Sequence, residues 1–286
     1  MKKILLAALM LFSSVVNASE VIQIIWPFGA GANHAVIIRE LTEQANKNQS
    51  KYKFVFVVKQ GAGGTIAANY VLDTPNTLFA NSSSFFITPA MIEGQYDIDK
   101  FSMVGEFCSN RPVGLFSKNF KDINKDTEVT VGVVPGTVFD LTATLLINNG
   151  YKIVRVPFKS GPESQLAVMG GHVQYDINFL GGPTNDRQLI GVTGRKPIDT
   201  AKTFATLGAK GLENVVIDLF LFAPSSMGQD KLKELHQIFN AAHSSKSTAL
   251  CEQDFGKVTK TEFAEMDTKF RQNKKTWSEF FSTNKK

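Results

Sequence analysis

One pattern recurs along this chain and constrains its fold more than any other. A short apolar run ends in a loop of small residues, and a stretch with helical spacing follows. Residues 21–26 end at Pro27 and lead through Phe28-Gly29-Ala30-Gly31-Ala32 to a helix pattern reaching Leu41 and Ala45. Residues 53–58 lead to Gly61-Ala62-Gly63-Gly64 and a helix over 65–72, and residues 78–81 lead to Ser82-Ser83-Ser84. The middle repeats the scheme: a strand at 129–134, a loop at Pro135-Gly136-Thr137, and a helix over 139–148 closed by Asn149-Gly150. A strand at 152–156 precedes a helix opened by Gly161-Pro162, and 175–179, 189–193 and 215–222 are further strands. Alternating strand and helix with small-residue loops means βα units and a parallel sheet. After Pro224 only helices are expected, over 230–243 and roughly 262–281, so the chain reads as two α/β units with a helical finish.

The N-terminus has the grammar of an export signal. Lys2 and Lys3 precede the unbroken apolar run of residues 4–12, and small residues lead to a cleavage pattern ending at Ala18. A run of that length is too short to span a bilayer, which takes about 20 residues. The mature chain is therefore expected to start near Ser19 as a soluble exported protein. In an oxidising compartment, Cys108 and Cys251 read first as a disulfide, with two free buried thiols as the alternative. They lack C-x-x-C spacing, so metal or redox chemistry is not supported.

The formal charge of +5 resides at the two ends, in Lys2 and Lys3 and in the lysine-rich stretch 269–286, and the body between is near neutral. Nucleic-acid binding needs a basic stripe on the fold and is not expected. Hydrophobic residues at 43% and charged residues at 20% exclude a disordered, collagen-like or coiled-coil chain. No G-x-S-x-G, H-E-x-x-H or Walker A motif is present, and neither glycine loop is a G-x-G-x-x-G fingerprint, so no cofactor or metal is expected. His236 and His243 read as a solvated helix face. Loops of small residues at the carboxyl ends of strands, each opening a helix, suit a small anion approaching backbone N–H groups. The competing reading of each loop is tight helix–sheet packing.

These residues, in order, resemble the tripartite tricarboxylate transporter receptors, the Bug/TctC family of periplasmic solute-binding proteins. The family's P-F-x-x-G-G-x-x-D-x-x-x-R reads here from Pro27 to Ala35 and Arg39, and its R-P-G-A-G-G-x-I-x-A reads from Lys59 to Ala68. Its Y-D-P-x-x-D-F reads from Tyr96 to Phe101, its V-P-Y-K-G from Val156 to Ser160, and its A-V-T-G from Gly191 to Gly194. Ala32, Ala35, Ala167 and a shortened loop at Pro135-Gly136-Thr137 depart from the family pattern near the expected ligand.

The resemblance implies an α/β, two-lobed, type II Venus-flytrap fold, each lobe a mixed or parallel sheet flanked by helices. Lobe 1 is expected over residues 19–116 with 222–286, and lobe 2 over 117–221, with the chain crossing between them near the apolar strands 113–117 and 219–224. The implied protein is a monomeric receptor, not an enzyme. It captures a small carboxylate and delivers it to the large and small integral subunits of a membrane transporter, or alternatively feeds a signalling partner. The implied ligand contacts are Phe28, Gly29, Ala30, Asn33, Ser82, Ser83 and Ser84 in lobe 1 and Gly136, Thr137, Val138 and Asn178 in lobe 2. None of these loops contains Arg or Lys, so capture without an arginine ion pair is expected, Arg39 bracing its helix instead. A secreted hydrolase using Ser83 with His34 is the least favoured reading.

Overall fold

The computed structural model describes residues 19–92, 94–180, 187–253 and 255–284; the export signal read at 1–18 lies outside the described residues. The first half runs β1 (Glu20–Trp26), α1 (Asn33–Asn48), β2 (Tyr52–Val58), α2 (Thr65–Asp73), β3 (Thr77–Ser82) and α3 (Ser84–Met91). The long β4 (Phe101–Ser117) leads to β5 (Val129–Val133), α4 (Val138–Asn148), β6 (Ile153–Pro157) and α5 (Gly161–Met169). Next come β7 (Tyr175–Phe179), β8 (Gln188–Val192) and β9 (Lys202–Thr203). β10 (Val216–Pro224) returns the chain to α6 (Gln229–Ala241), α7 (Ser245–Gln253), β11 (Lys257–Val258) and α8 (Met266–Asn284).

The first lobe is built on the order β2-β1-β3-β10-β4 and the second on β4-β7-β5-β6, so β4 belongs to both. Strands β1, β2 and β3 pair in parallel, as do β5 with β6 and β7. The parallel strands are joined by helices, which is why they read as apolar runs rather than strict alternation. β10 enters antiparallel between β3 and β4. Along β4, residues up to Pro112 pair with β10, whereas Val113 onward pairs with β7 and β8. On this pairing the lobe boundaries are proposed at Pro112–Val113 and just before Val216, a few residues ahead of the expected 116 and 222.

Helices cover both faces of the first sheet. On one side Ile37, Leu41, Leu235 and Phe239 pack on Ile22, Ile24 and Phe54. On the other side an aromatic block forms from Phe79, Phe85, Phe86, Phe101, Phe220, Phe222 and Phe270. Phe85 stacks on Phe222 with centroids 3.8 Å apart. Seven phenylalanines in one block give the 23 of the sequence a packing reason. Each fully buried ring contributes about 1.5–3 kcal/mol.

Three elements differ from expectation. β4 is 17 residues long, with Asn110 at φ 59° and Pro112 in its middle; only its end read as a strand, because Gly, Asn and Pro broke the pattern. The serine triplet runs into helix α3, whose largely apolar and aromatic sequence has no amphipathic period. The helical finish is interrupted by β11, which pairs with Cys108 and Ser109 of β4.

Cys108 and Cys251 are bonded, tying β4 to α7 across 143 residues, both 1% exposed or less. Such a loop closure stabilises by roughly 2–4 kcal/mol, mainly through the unfolded chain. Cys251→Ser is expected to lower the melting temperature by roughly 5–10 °C. Thiol titration of unfolded, unreduced wild-type protein should find no free thiol, and finding two would contradict the bridge.

Candidate ligand-binding site

The loops leaving the carboxyl ends of β1, β2 and β3 meet those leaving β5 and β6. The first loop is shaped by its neighbours: Trp26 Nε1 donates to the Gly29 carbonyl (3.2 Å) and Arg39 Nη2 to that of Ala30 (3.2 Å). Arg39 also lies 5.0 Å from the Phe56 ring centre, so it braces loop and helix. The second loop places Gly63 at φ 62° and Gly64 at φ 104°, where any other residue would be strained.

The two lobes are in contact. A Cβ on Gly63 would stand 2.9 Å from the Pro135 carbonyl oxygen, and one on Gly29 would stand 3.0 Å from Ser160 Cβ. Thr88 Oγ1 donates to the Gly136 carbonyl across the cleft (2.7 Å), and the Val138 amide donates to Ser84 Oγ (3.4 Å). Between them lies a cavity of about 20 Å³. Trp26, Phe28, Ala32, His34, Ser82 and Ser84 line it from lobe 1. Val134, Thr137, Val138, Phe139, Gly161 and Phe179 line it from lobe 2. Outside it, a groove of about 370 Å³ runs between Gly61, Gln95 and Ile92 on one side and Pro135, Pro157 and Lys159 on the other. Phe28 and Val134 border both spaces.

The expected contact residues fall into two groups. Phe28, Ser82, Ser84, Thr137 and Val138 are brought together around the cavity. Gly29, Ala30, Asn33, Ser83, Gly136 and Asn178 do not line it. Ser83 is turned to the crossing strand: its amide donates to the Asp218 carbonyl (3.1 Å) and its Oγ accepts from the Asp218 amide (2.9 Å). The Gly136 amide donates to Asp140 Oδ2 (3.0 Å), and its carbonyl takes the Thr88 hydroxyl. Asn178 is consumed inside lobe 2, donating to the Gly161 carbonyl (2.9 Å) and Asp176 Oδ2 (3.0 Å) while its Oδ1 accepts from the Phe179 amide (3.0 Å). Asp176 in turn holds Arg187 at 2.8 Å, both buried. Burial pushes the Asp176 carboxyl up, while Arg187 and the Asn178 amide draw it back. This chain positions the N-terminus of α5 and the Phe179 ring rather than presenting an amide to the cavity.

The hydroxyls at the cavity are partly engaged. Thr137 caps α4, donating to the Val134 carbonyl (2.7 Å) and accepting from the Phe139 amide (3.2 Å). Ser82 Oγ donates to Ser84 Oγ (3.1 Å). Ser84 Oγ accepts in both of its contacts, so its own proton remains to be given.

Sequence reasoning missed His34, Trp26, Phe139 and Phe179 as lining residues. Phe139 and Phe179 adjoin positions singled out, Val138 and Asn178, but as apolar residues at element ends they read as core. His34 was weighed only as a partner for Ser83, and no such pair forms. Its ring packs edge-on against Phe179 of the other lobe at 4.3 Å and lies 6.1 Å from Trp26, and it is 1% exposed. Its Nε2 has no hydrogen-bond partner among the described residues. Burial, with Arg111 adding to it, holds the imidazole well below its usual 6.5 and therefore neutral. Arg111 of β4 is fully buried with its guanidinium carbon 5.0 Å from the Phe179 ring centre, and burial pushes it down to about 9.

These shifts have a signed consequence. Unfolded, His34 takes up a proton near 6.5; folded, it resists, so its contribution is complete above 6.5 and is lost as the pH falls below it. His243, lowered to about 4 by burial and Lys260, acts in the same direction; with His236 5% exposed and its Nδ1 2.9 Å from the Val104 carbonyl oxygen, these two do not form the solvated helix face expected. Asp218 opposes them: burial raises it from 3.8 to about 6, so its protonation adds stability as the pH falls through that window. His34→Phe is expected to lose less melting temperature than the wild type between pH 7 and pH 5. Equal losses would remove His34 as a source.

No protein-family model matches the chain, and no curated protein matches it by sequence. Solved structures do. The periplasmic binding protein BugD superposes with a TM-score of 0.81 at 19% identity, covering 92% of this chain and 97% of its own. MatC (Rpa3494) from Rhodopseudomonas palustris with bound malate superposes at 0.79 and 18% identity, covering 92% and 99%. Rpa4515 of R. palustris with adipate superposes at 0.80 and 19%, covering 92% and 97%. The chain has the two-lobed fold of these periplasmic binding proteins, the fold that the Bug/TctC resemblance implies.

Proposed function

We propose that the protein is a periplasmic solute-binding receptor of the Bug/TctC kind, which encloses a small carboxylate between its lobes and delivers it to a tripartite tricarboxylate-type membrane transporter. One observation carries this reading: the cavity where the lobes meet is lined by hydroxyls and by the start of helix α4, with no acidic side chain among its lining residues. A helix N-terminus carries a partial positive charge, and this one, 11 residues long, gives its Val138 amide to Ser84 Oγ and its Phe139 amide to the Thr137 cap, bonds that an entering carboxylate would exchange for its own. Ser84 and Val138 already join the lobes directly, so a carboxylate bridging the same groups would favour the closed form over the open one.

Capture then proceeds without an arginine clamp. Arg39 is committed to the Ala30 carbonyl and the Phe56 ring. Hydrogen bonds to a charged acceptor contribute roughly 1.5–3 kcal/mol each, so three or four suffice for a small acid. Native mass spectrometry of freshly purified protein should reveal a co-purified acid, and its removal should lower the melting temperature by mass action. Failure of a broad carboxylate panel to shift the melting temperature would overturn the reading.

Two substitutions separate binding from bracing. Ser84→Ala is expected to weaken the acid about tenfold, by loss of one charge-assisted hydrogen bond. Arg39→Ala is expected to lower the melting temperature while leaving affinity within about threefold, since only packing and a loop contact are lost. Calorimetry alongside thermal melts reads both, and loss of binding in a folded Arg39→Ala protein would establish an ion-pair clamp instead.

A further inference from the structure

Resting on the carboxylate reading above, we propose that the cavity selects a monocarboxylate with a compact apolar body and that His34 recognises a second, uncharged polar group on it.

The lining sets the charge. Among its described lining residues, polar side-chain atoms come from Ser82, Ser84, Thr137, His34 and the Trp26 indole N–H, the last already given to the Gly29 carbonyl, and none carries a formal charge while the imidazole is neutral. The hydroxyls and the α4 N-terminus can receive one carboxylate. A second carboxylate would need a cation, and none lines the space among the described residues. Arg111 is the nearby cation coupled to His34, but its guanidinium faces the Phe179 ring and it is not among the lining residues. A buried charge without a partner is strongly disfavoured. The malate and adipate held by the two R. palustris proteins are dicarboxylates, so the selectivity here would differ from theirs.

The walls set the body. Trp26, Phe28, Phe139 and Phe179 surround the space with aromatic surface. As the lobes meet here, its 20 Å³ is room for about one water, so a bound acid would hold the lobes further apart than this, with the rings against whatever apolar body it carries.

His34 supplies the remaining polar contact. It reaches from α1 across the cleft to Phe179, it is 1% exposed, and Nε2 has no partner among the described residues. Leaving a buried polar nitrogen unsatisfied is costly, and a hydroxyl or carbonyl on the ligand would satisfy it. Either tautomer serves, because a hydroxyl both donates and accepts.

A matched series tests this by calorimetry on the purified full-length mature protein at pH 7.5. Butyrate, 4-hydroxybutyrate and succinate share four carbons and differ only at the far end; benzoate, 4-hydroxymethylbenzoate and terephthalate repeat the comparison on a ring. In whichever series binds, the hydroxylated acid is expected to be tightest, with the plain monocarboxylate about fivefold weaker and the dicarboxylate weaker by a further tenfold or more. His34→Phe retains a ring against Phe179 and should bring the hydroxylated acid down to the affinity of the plain one. His34→Gln, which returns an amide near Nε2, should restore part of the difference and stands in if the Phe variant folds poorly. A dicarboxylate binding tighter than its monocarboxylate counterpart would overturn the selectivity while leaving the receptor reading intact. A hydroxyl preference left at its full wild-type size in whichever variant folds would overturn the role of His34. Silence from all six acids would overturn the receptor reading together with the inference.

Discussion

Both lobes hang on one strand, and everything at the site follows from how β4 crosses between them. Up to Pro112 its hydrogen bonds go to β10; from Val113 they go to β7 and β8. The change occurs where Asn110 takes a left-handed conformation and Pro112 withholds an N–H, so the ladder is interrupted by chemistry rather than by chance. The interrupted backbone is satisfied from the side: the Asn110 amide donates to Asp218 Oδ1 (2.8 Å) and the Val113 amide to Thr193 Oγ1 (2.8 Å). Motion of one lobe against the other must bend this segment and its companion just before β10.

The same segment is tied to both walls of the cavity. Asp218 holds Ser83 through amide, carbonyl and hydroxyl, which sets the start of α3 and hence Ser84. Val113 pairs with Phe179, which sets the opposite wall, and Arg111 lies between the two with its guanidinium on the Phe179 ring. A rotation at the hinge therefore moves Ser84 relative to Phe179 directly, with no intervening loop to absorb it. On the proposed receptor reading, this coupling would let a ligand of modest contact area act on the whole lobe arrangement, because only its differential contacts in the closed form would have to favour closure.

The repeated strand–loop–helix pattern was legible because the inner strands β1, β3, β5 and β7 are largely buried and the helices of the parallel units start after small-residue loops. Strands β1, β2, β5 and β7 fall within a residue or two of the runs that announced them. The crossing strand was not legible, since Asn110-Arg111-Pro112 looks like a turn and becomes strand only when two sheets pair on either side of it. At the site, Phe28, Ser82, Ser84, Thr137 and Val138 were found through the family pattern, whereas His34, Trp26, Phe139 and Phe179 were not. An apolar residue at an element end carries no mark that distinguishes a cavity wall from core. Asn178 had the right chemistry at the right strand end. Its amide is nevertheless drawn inward by Asp176 and Gly161, a pull that depends on Arg187 and on a helix start seventeen residues away.

The glycine loops carry the last step of the argument. Read alone, they suggest room for an anion to approach the backbone. In the folded chain the space beside Gly63 is taken by the Pro135 carbonyl and the space beside Gly29 by Ser160, each from the opposite lobe. Their small size is required by lobe–lobe contact in the closed form, and the shortened Pro135-Gly136-Thr137 loop supplies the surface that meets them. A side chain at Gly63 would stand 2.9 Å from a backbone oxygen that cannot swing aside, and it would also be strained at φ 62°. Substitution there should hold the lobes apart while each lobe keeps its own core, separating closure from folding. The specificity of the site then falls to the residues that stay at the cavity when the lobes meet, which are the hydroxyls, the rings and His34.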